Sequence, residues 1–508
     1  MSAKRTGTIG VIGGGLGGLA AACTLAARGR RVVLFERNPW FGGKAAVLSR
    51  DGYRFDMGPT ILTVPEVLRR IFEEANRDLR DELDLIRLDP QWRCFFDDGT
   101  RLDLLEDTTQ MGASLDDFAP GKKLGDRYRR FMALSQRLHR ISEQYFLWRP
   151  VGSISDTFKL SGTFKFSVLG DIMAMRMGRS VAGTVKRFLR DPRVSQMAEH
   201  FTQYVGSWPA RAPAILCSIA HMQTADKVWY PRGGTRAVPE ALTRLARELG
   251  VELRHENGIR RILHTDKIVT GVEALTGETV DLAGVISNAD SVRTHRELLG
   301  DGAEDAFMKR RAYEPACSGV VLYLALDRRY DQLLHHCFVF SRDPHEEFTA
   351  IYRDGVPAPD PTCYLCAPSR TDKTVAPEGG EALYVLVHTP YLREGQDWRE
   401  LFPGYRQTIL DKLTRTAGLT DLDKHIVFEE ALTPEDIHRR YSVLNGAIYG
   451  LASHGKWTGA FKPGNRSPDL KGLYLAGGSA HPGPGMPMAL MSGWIAADAL
   501  DNDGIVPR

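Results

Sequence analysis

The chain has 508 residues and a formal net charge of +3, which is close to neutral for its size. A chain of this length exceeds what one hydrophobic core usually supports, so we expect two or three domains. The charge balance gives no argument for a nucleic-acid partner. The seven scattered cysteines argue against a disulfide framework and favour a reducing, cytoplasmic location.

The first predicted element is a βαβ unit near the N-terminus. No Asp, Glu, Lys or Arg occurs from Thr6 to Ala27, but this stretch contains seven glycines. A membrane helix is disfavoured because each Gly costs roughly 1 kcal/mol of helix propensity relative to Ala. The pattern instead predicts a buried strand at 8–12, a helix at 16–28 and a second strand at 31–35.

The turn inside this unit has the G-x-G-x-x-G spacing of a dinucleotide-binding site. Gly13 permits the tight turn, Gly15 lets the backbone approach a pyrophosphate, and Gly18 lets helix and strand pack closely. Glu36 ends the second strand about 20 residues further on, where a carboxylate accepts hydrogen bonds from ribose hydroxyls. The alternative is a glycine-rich turn that serves packing alone.

The next segment resembles a known family of flavoproteins. A Gly-Gly-Lys turn is followed by FDMGPT at 55–60, which is similar to the F-D-x-G-P-T of carotenoid desaturases of the bacterial phytoene desaturase type. Arginine is the common residue at the lysine position in the phytoene enzymes. The resemblance implies that the cofactor is FAD, contacted by Arg37, Gly43, Lys44, Gly58, Pro59 and Thr60.

Two later segments carry the same resemblance. The stretch that begins VWYPRGG at Val228 is similar to a family segment in which a strand contacts the adenine through its backbone, here near Ile259. The ending GGSAHPGPGMPMALMSG resembles the family's flavin-closing segment, in the form found in late-acting desaturases and 3,4-desaturases. It predicts a strand at 473–476 and a buried helix from about Pro487, and the resemblance places Gly478, Ser479 and Met488 at the cofactor.

His481, in this ending, is the candidate catalytic residue, since imidazole is the usual general base near neutral pH. The alternative is a histidine that packs beneath the flavin and has a structural role. The resemblance implies desaturation of an acyclic carotenoid by hydride transfer to FAD and loss of a proton, with quinone or oxygen as the electron acceptor. Carotenoid terminal oxidases, which form aldehydes, and redox-neutral carotenoid isomerases are the alternatives. An escort protein that has lost flavin is disfavoured because the glycine turn is intact.

A basic segment at 159–193 interleaves apolar residues with an excess of Lys and Arg. This pattern is typical of a patch that lies on a membrane surface, and such a patch would admit a lipid-soluble substrate. We therefore expect a peripheral membrane protein. The alternative is an ordinary helical insert with solvated basic faces.

The predicted fold class is α/β, with a Rossmann-like FAD domain and an interleaved α+β substrate domain that carries the basic insert. The FAD domain is expected to comprise 1–88, 227–296 and 432–508, and the substrate domain 89–226 and 297–431. Within the latter we predict strands at 319–326 and 382–388, a helix at 124–144 and a helix after Tyr405. The C-x-x-C of Cys363 and Cys366 is interpreted as a coincidence within a strand. No metal site is expected, because neither this motif nor the sequence His335-His336-Cys337 has a second ligand pair.

Overall fold

In the computed structural model, the described residues are 7–151, 170, 173–300, 302–310, 312–457 and 459–505. Most of the basic segment's first half, 159–169 and 171–172, therefore lies outside the described residues. The α-helices of the described part are Leu16–Ala27, Glu66–Glu74, Leu79–Glu82, Thr108–Phe118, Leu124–Tyr145, Val181–Phe188, Pro192–Glu199, Ser218–Asp226, Ala237–Glu248, Ser291–Arg293, Ala303–Arg310, Pro344–Phe348, Trp398–Ala417, Pro434–Tyr441 and Met486–Asn502.

The first structural unit is a five-stranded parallel sheet. Four of its strands are short, mainly apolar and almost fully buried, as expected when helices cover both faces of a parallel sheet, whereas the edge strand Glu252–Arg254 is charged and more exposed. Their spatial order is Leu473–Leu475, Gly284–Ser287, Thr8–Ile12, Arg31–Phe35 and Glu252–Arg254. The predicted βαβ unit is confirmed, with the helix at Leu16–Ala27.

This helix packs along the C-terminal helix, Met486–Asn502. The two backbones meet at a pair of glycines, since a Cβ on Gly493 would lie 2.0 Å from the carbonyl oxygen of Gly17. A larger residue at this crossing would push the helices apart. The first and last segments of the chain therefore form one layer over the parallel sheet.

The second structural unit is a mixed seven-stranded sheet. Its spatial order is Ile426–Leu432, Ser318–Leu326, Glu381–Thr389, Cys363–Cys366, His336–Val339, Trp92–Phe95 and Arg101–Leu104. The strands predicted at 319–326 and 382–388 are present, as is the helix predicted at 124–144. The helix predicted after Tyr405 begins earlier, at Trp398, because Asp397 caps it by accepting from the backbone N–H of Arg399.

Three smaller sheets complete the strand set. A three-stranded antiparallel sheet comprises Ile259–Thr265, Ile268–Ala274 and Thr279–Asp281. One two-stranded sheet is the hairpin Val47–Arg50 with Tyr53–Asp56, and another joins Leu85–Leu88 to Val228–Pro231.

The predicted domain ranges follow the two large sheets closely. All strands of the parallel sheet fall in the ranges assigned to the FAD domain, and the seven-stranded sheet falls in the substrate ranges except at Leu432, the last residue of an edge strand. The helix Pro434–Tyr441 also packs on that sheet. The boundaries themselves stay a prediction. Among the described residues, no helix combines the length and apolarity needed to cross a bilayer.

Candidate cofactor and substrate site

A cavity of about 730 Å³ lies at the carboxyl ends of the parallel strands and extends to the seven-stranded sheet. We call it the central cavity. In open α/β sheets, ligands bind in this position, outside the carboxyl ends of the strands. Every predicted site residue except Gly18 lines it: Gly13, Gly15, Glu36, Arg37, Gly43, Lys44, Gly58, Pro59, Thr60, Ile259, Gly478, Ser479, His481 and Met488.

The three motif glycines have three different environments. Gly13 has φ +90°, a conformation that side chains disfavour, and its N–H donates to the carbonyl oxygen of Phe35 at 2.7 Å. A Cβ on Gly18 would lie 2.0 Å from the carbonyl oxygen of Gly13, so this position serves packing and faces away from the cavity. Gly15 has an ordinary φ of −70°, and its added Cβ would meet only the side-chain Nδ2 of Asn288, at 2.9 Å.

Gly15 is also the N-cap of the helix Leu16–Ala27 and supplies no side-chain cap. The first turn of this helix contains no acidic residue. Free backbone N–H groups and the positive end of the helix dipole therefore point toward the cavity, which is the arrangement that binds phosphate.

Glu36 connects the turn to the cavity wall. Its Oε2 accepts from the backbone N–H of Gly14 at 2.8 Å, and its Oε1 accepts from the N–H of Asn38 at 2.8 Å. Burial raises the pKa of this carboxyl, and the two backbone donors partly offset that rise. Each oxygen keeps a further lone pair with which it can accept from a ribose hydroxyl.

The Gly-Gly-Lys turn closes over the first glycine turn. The N–H of Gly42 donates to the carbonyl oxygen of Gly14 at 2.7 Å, and a Cβ on Gly43 would lie 3.2 Å from the Cα of Gly15. Lys44 reaches across the cavity wall, and its Nζ donates to the carbonyl oxygen of Ile448 at 2.6 Å. Burial lowers the pKa of Lys44 to about 8, while Asp290 acts in the opposite direction.

The segment FDMGPT joins the two structural units. The Asp56 carboxylate accepts from the backbone N–H groups of Thr235 and Arg236, at 2.8 and 3.2 Å. The Thr60 hydroxyl lies 2.6 Å from the hydroxyl of Tyr364, a residue of the seven-stranded sheet. The motif therefore fixes the boundary between the cofactor end of the cavity and its other end.

The C-terminal segment forms the remaining wall of the cofactor end. The hydroxyl oxygen of Ser479 accepts from the N–H of Ser291 at 2.8 Å, so this hydroxyl already has a partner within the chain. The helix begins at Met486, one residue before the predicted start, and contributes Met488 to the cavity lining. Its N-terminal turn contains no acidic residue, so its dipole is free to stabilise negative charge in the cavity.

His481 is buried and largely held by the backbone. Its Nε2 donates to the carbonyl oxygen of Phe146 at 2.8 Å, and burial lowers its pKa to about 4. Its Nδ1 has no hydrogen-bond partner among the described residues. The ring is therefore neutral near pH 7 and a weak base, which fits the structural role better than the catalytic one; its catalytic role stays a prediction.

The charged groups of the cavity all lie at its cofactor end. The charged lining residues are Glu36, Arg37, Lys44, Asp290, Arg293 and Glu297. The other end contains no Asp, Glu, Lys or Arg within the described lining, and it is formed by apolar residues, aromatic residues and neutral histidines: Ile215, Ile219, Met222, His200, Tyr204, Phe338, Tyr364, Tyr384, Leu386, His388 and Tyr449. Burial lowers the pKa of His200 to about 3 and that of His388 to about 4. We call this part the uncharged end.

Several lining residues carry no motif that sequence reasoning could have found. Asn288 follows the strand Gly284–Ser287, and its Nδ2 donates to the carbonyl oxygen of Gly13 at 3.1 Å. Asp290 accepts from the N–H groups of Val292 and Arg293. A polar residue just after a buried strand is a signal for this edge of a sheet, but the sequence does not say which strand lies next to the glycine turn. The aromatic residues of the uncharged end come from strands far apart in the chain.

Comparisons with known proteins agree with this geometry. The model of the flavin-containing amine oxidoreductases matches residues 16–501, and the chain belongs to that family. It is an FAD-dependent oxidoreductase, as predicted, and the glycine turn, the buried Glu36 and the helix N-termini fit that cofactor.

Two individual relatives match this chain over nearly its whole length. The chain is 37% identical over 494 residues to the 4,4'-diapolycopene oxygenase of Methylomonas sp, covering 97% of this chain and 98% of that protein. It is also 37% identical over 494 residues to the 4,4'-diaponeurosporene oxygenase of Staphylococcus aureus (strain bovine RF122 / ET3-1), covering 97% of each. The predicted resemblance to FAD-dependent carotenoid enzymes is confirmed. A crystal structure of an oxidoreductase from Methanosarcina mazei has the same fold, with a TM-score of 0.64, 17% identity and coverage of 96% and 98%.

Proposed function

We propose that this protein oxygenates an end carbon of an acyclic carotenoid. The support from sequence is the near full-length similarity to relatives named as oxygenases of two acyclic carotenoids. Desaturation, the reaction predicted from the sequence, requires the same cofactor and an equally apolar site. The names of the relatives favour oxygenation.

The observation that carries the proposal is the division of the central cavity. A carotenoid is a long hydrocarbon with no group that could pair with a buried charge, so a charged wall would cost free energy that the substrate could not offset. The uncharged end meets this requirement, and it adjoins the cofactor end directly. A polyene lying there would present one end to the flavin region.

The residues of the chain act by binding, orientation and exclusion of water. Bound FAD would accept two electrons and so supply the redox chemistry. His200, His388 and His481 have pKa values of about 3, 4 and 4, so none of them carries a charge near neutral pH. Burial therefore keeps these three histidines uncharged over the physiological pH range, which favours an extended hydrocarbon over water beside them.

The test is expression in a carotenoid-free bacterial host supplied with acyclic carotenoids of the two common chain lengths. The pigments are extracted and measured by absorbance and mass, under labelled dioxygen. We expect a product that has gained one oxygen and lost two hydrogens, as when a methyl group becomes an aldehyde. A product that has only lost hydrogens would refute oxygenation and establish desaturation, and an unchanged mass with a shifted spectrum would indicate isomerisation. Unchanged substrates with flavin-loaded protein would refute the carotenoid assignment.

We further propose that the protein takes its substrate from a membrane surface. Met173 and Trp457 are 75% and 63% exposed, which makes them the two most exposed large apolar side chains among the described residues. They belong to one region, because the Trp457 ring packs against Gly178, whose N–H donates to the carbonyl oxygen of Lys456. Arg176 and Arg179 add positive charge to this region. Exposed apolar side chains among cations suit an anionic lipid surface.

Vesicle flotation with phosphatidylglycerol-containing liposomes tests this second proposal. We expect Trp457→Ser to lower the bound fraction several-fold, while Val427→Ser, which removes an apolar side chain that is 56% exposed on an edge strand of the seven-stranded sheet, leaves it unchanged. Equal binding of the wild type and Trp457→Ser would refute the assigned surface.

A further inference from the structure

Three buried residues of the seven-stranded sheet form a cluster outside the central cavity. His336 begins the strand His336–Val339 and lies directly opposite Cys366, the last residue of the strand Cys363–Cys366. His335 precedes the strand, and its carbonyl oxygen accepts from the N–H of Ala367 at 2.8 Å. One ring nitrogen from each histidine and the Cys366 Sγ all lie within 4.8 Å of one another.

The hydrogen bonds of the two imidazoles leave the same nitrogen without a partner in each ring. His335 Nδ1 is 2.7 Å from the Thr371 hydroxyl, and His336 Nδ1 is 2.9 Å from the Tyr364 hydroxyl. Both Nε2 atoms are buried and have no hydrogen-bond partner in the described part of the chain. Histidines that bind metals show this arrangement, in which the second nitrogen is hydrogen-bonded and so fixes the tautomer and the ring.

We propose that His335, His336 and Cys366 bind a thiophilic first-row transition-metal ion, with Zn²⁺ as the expected occupant. Imidazole and thiolate ligands bind zinc and copper, whereas harder ions such as magnesium and calcium prefer oxygen ligands. The acidic groups that act on the cluster favour a dication: Asp372 acts on His335, and Asp56 and Glu381 act on Cys366. Binding Zn²⁺ releases the thiol proton to solvent and changes no oxidation state.

The sequence neighbour Cys337 is not part of this site. It lies in the hydrophobic cluster on the opposite face of the sheet, together with Cys363, because successive side chains of a strand alternate between the faces. Cys366 lies in the cluster on the face toward the cavity. Cys363 therefore offers a matched control, since it is a buried thiol of the same strand that cannot reach the metal.

The first test is elemental analysis of the full-length, flavin-loaded protein, purified without chelators. We expect about one zinc per chain in the wild type and in Cys363→Ser, and at least a ten-fold loss in Cys366→Ser and His336→Gln. Copper with the same dependence on these residues would support the site with a different ion. Metal content that is equal in Cys363→Ser and Cys366→Ser would overturn the proposal.

A second measurement does not depend on the stability of the variants. Wild-type protein stripped of metal is titrated with Co²⁺, which reports thiolate ligation through a near-ultraviolet charge-transfer band. We expect the band to appear at one equivalent and to disappear on addition of Zn²⁺, while the flavin spectrum shows that the fold is retained. Absence of metal from the purified wild type together with absence of this band would refute the site.

Discussion

The substitution Gly15→Val separates binding of the cofactor from folding of the chain. The backbone of Gly15, with φ −70° and ψ −179°, is one that valine adopts readily, and the added Cβ would meet only Asn288 Nδ2, at 2.9 Å. Displacing the Asn288 hydrogen bond to Gly13 costs about 0.5–1.5 kcal/mol. Replacing Gly in a compatible conformation returns about 0.4–1 kcal/mol through the unfolded state. The two effects nearly cancel, so the apoprotein should remain folded.

The effect on the cofactor should be much larger. The valine methyl groups would occupy the side of the turn that faces the cavity, where the backbone is predicted to approach the pyrophosphate. We expect at least a hundred-fold loss of FAD affinity, which is about 2.8 kcal/mol. Ligand at a hundred times its Kd stabilises the native state by about 2.7 kcal/mol, so the variant should lose that thermal stabilisation as well.

The assay is the flavin absorbance of the purified protein, with melting temperatures measured with and without added FAD. Gly18→Ala is the informative companion, because its Cβ would lie 2.0 Å from a backbone oxygen that cannot move away freely. We expect that variant to lose stability even without FAD. A full flavin spectrum in Gly15→Val would refute the assignment of the turn, and an unfolded Gly15→Val apoprotein would refute the separation of binding from folding.

Three further predictions concern other parts of the molecule. Glu36→Ala should weaken FAD binding and cost about 1–3 kcal/mol of stability, because the N–H groups of Gly14 and Asn38 lose their acceptor; Glu36→Gln, which keeps one acceptor oxygen, should be milder in denaturant titrations. Burial raises the pKa of Glu199 from 4.5 to about 7, so the folded state binds this proton more tightly than the unfolded state does. The free energy of unfolding should therefore fall as the pH rises from about 4.5 to 7. Glu199→Gln should remove that decline, by at most about 3 kcal/mol, and equal pH slopes for the two proteins in urea unfolding at pH 5 and pH 8 would contradict this reasoning. Met222→Lys should retain flavin but lower carotenoid conversion more than ten-fold, because it places a charge in the uncharged end. Met222→Leu is the control. Equal pigment yields from the two variants would argue against substrate binding at the uncharged end.

The sequence alone predicted most of the residues that line the cofactor end of the central cavity. Gly13, Gly15, Gly18 and Glu36 belong to one contiguous βαβ unit, whose geometry depends on local backbone conformation and on hydrogen bonds between adjacent segments. The strand at the C-terminus and the helix after it were predictable for the same reason. Their apolar composition and their Gly and Pro positions fix where each element begins.

Only the tertiary structure decided which distant segments meet. Asn288 reaches Gly13 because the strand Gly284–Ser287 lies beside Thr8–Ile12 in the sheet, and no local pattern states that order. The uncharged end likewise combines side chains from separate helices and strands of the substrate sheet, none of which carries a motif. Pairing order depends on the packing of the whole chain, so a pattern read over a few residues does not contain it.

The cluster of His335, His336 and Cys366 is the clearest case of a grouping that the local sequence does not predict. In the sequence, the two histidines stand next to Cys337, and Cys366 stands in a C-x-x-C with Cys363. Strand alternation turns Cys337 and Cys363 to the opposite face, and the antiparallel register places Cys366 against His336. Composition supplied the ligand types, but their selection and spacing follow from sheet register, which is set by long-range pairing.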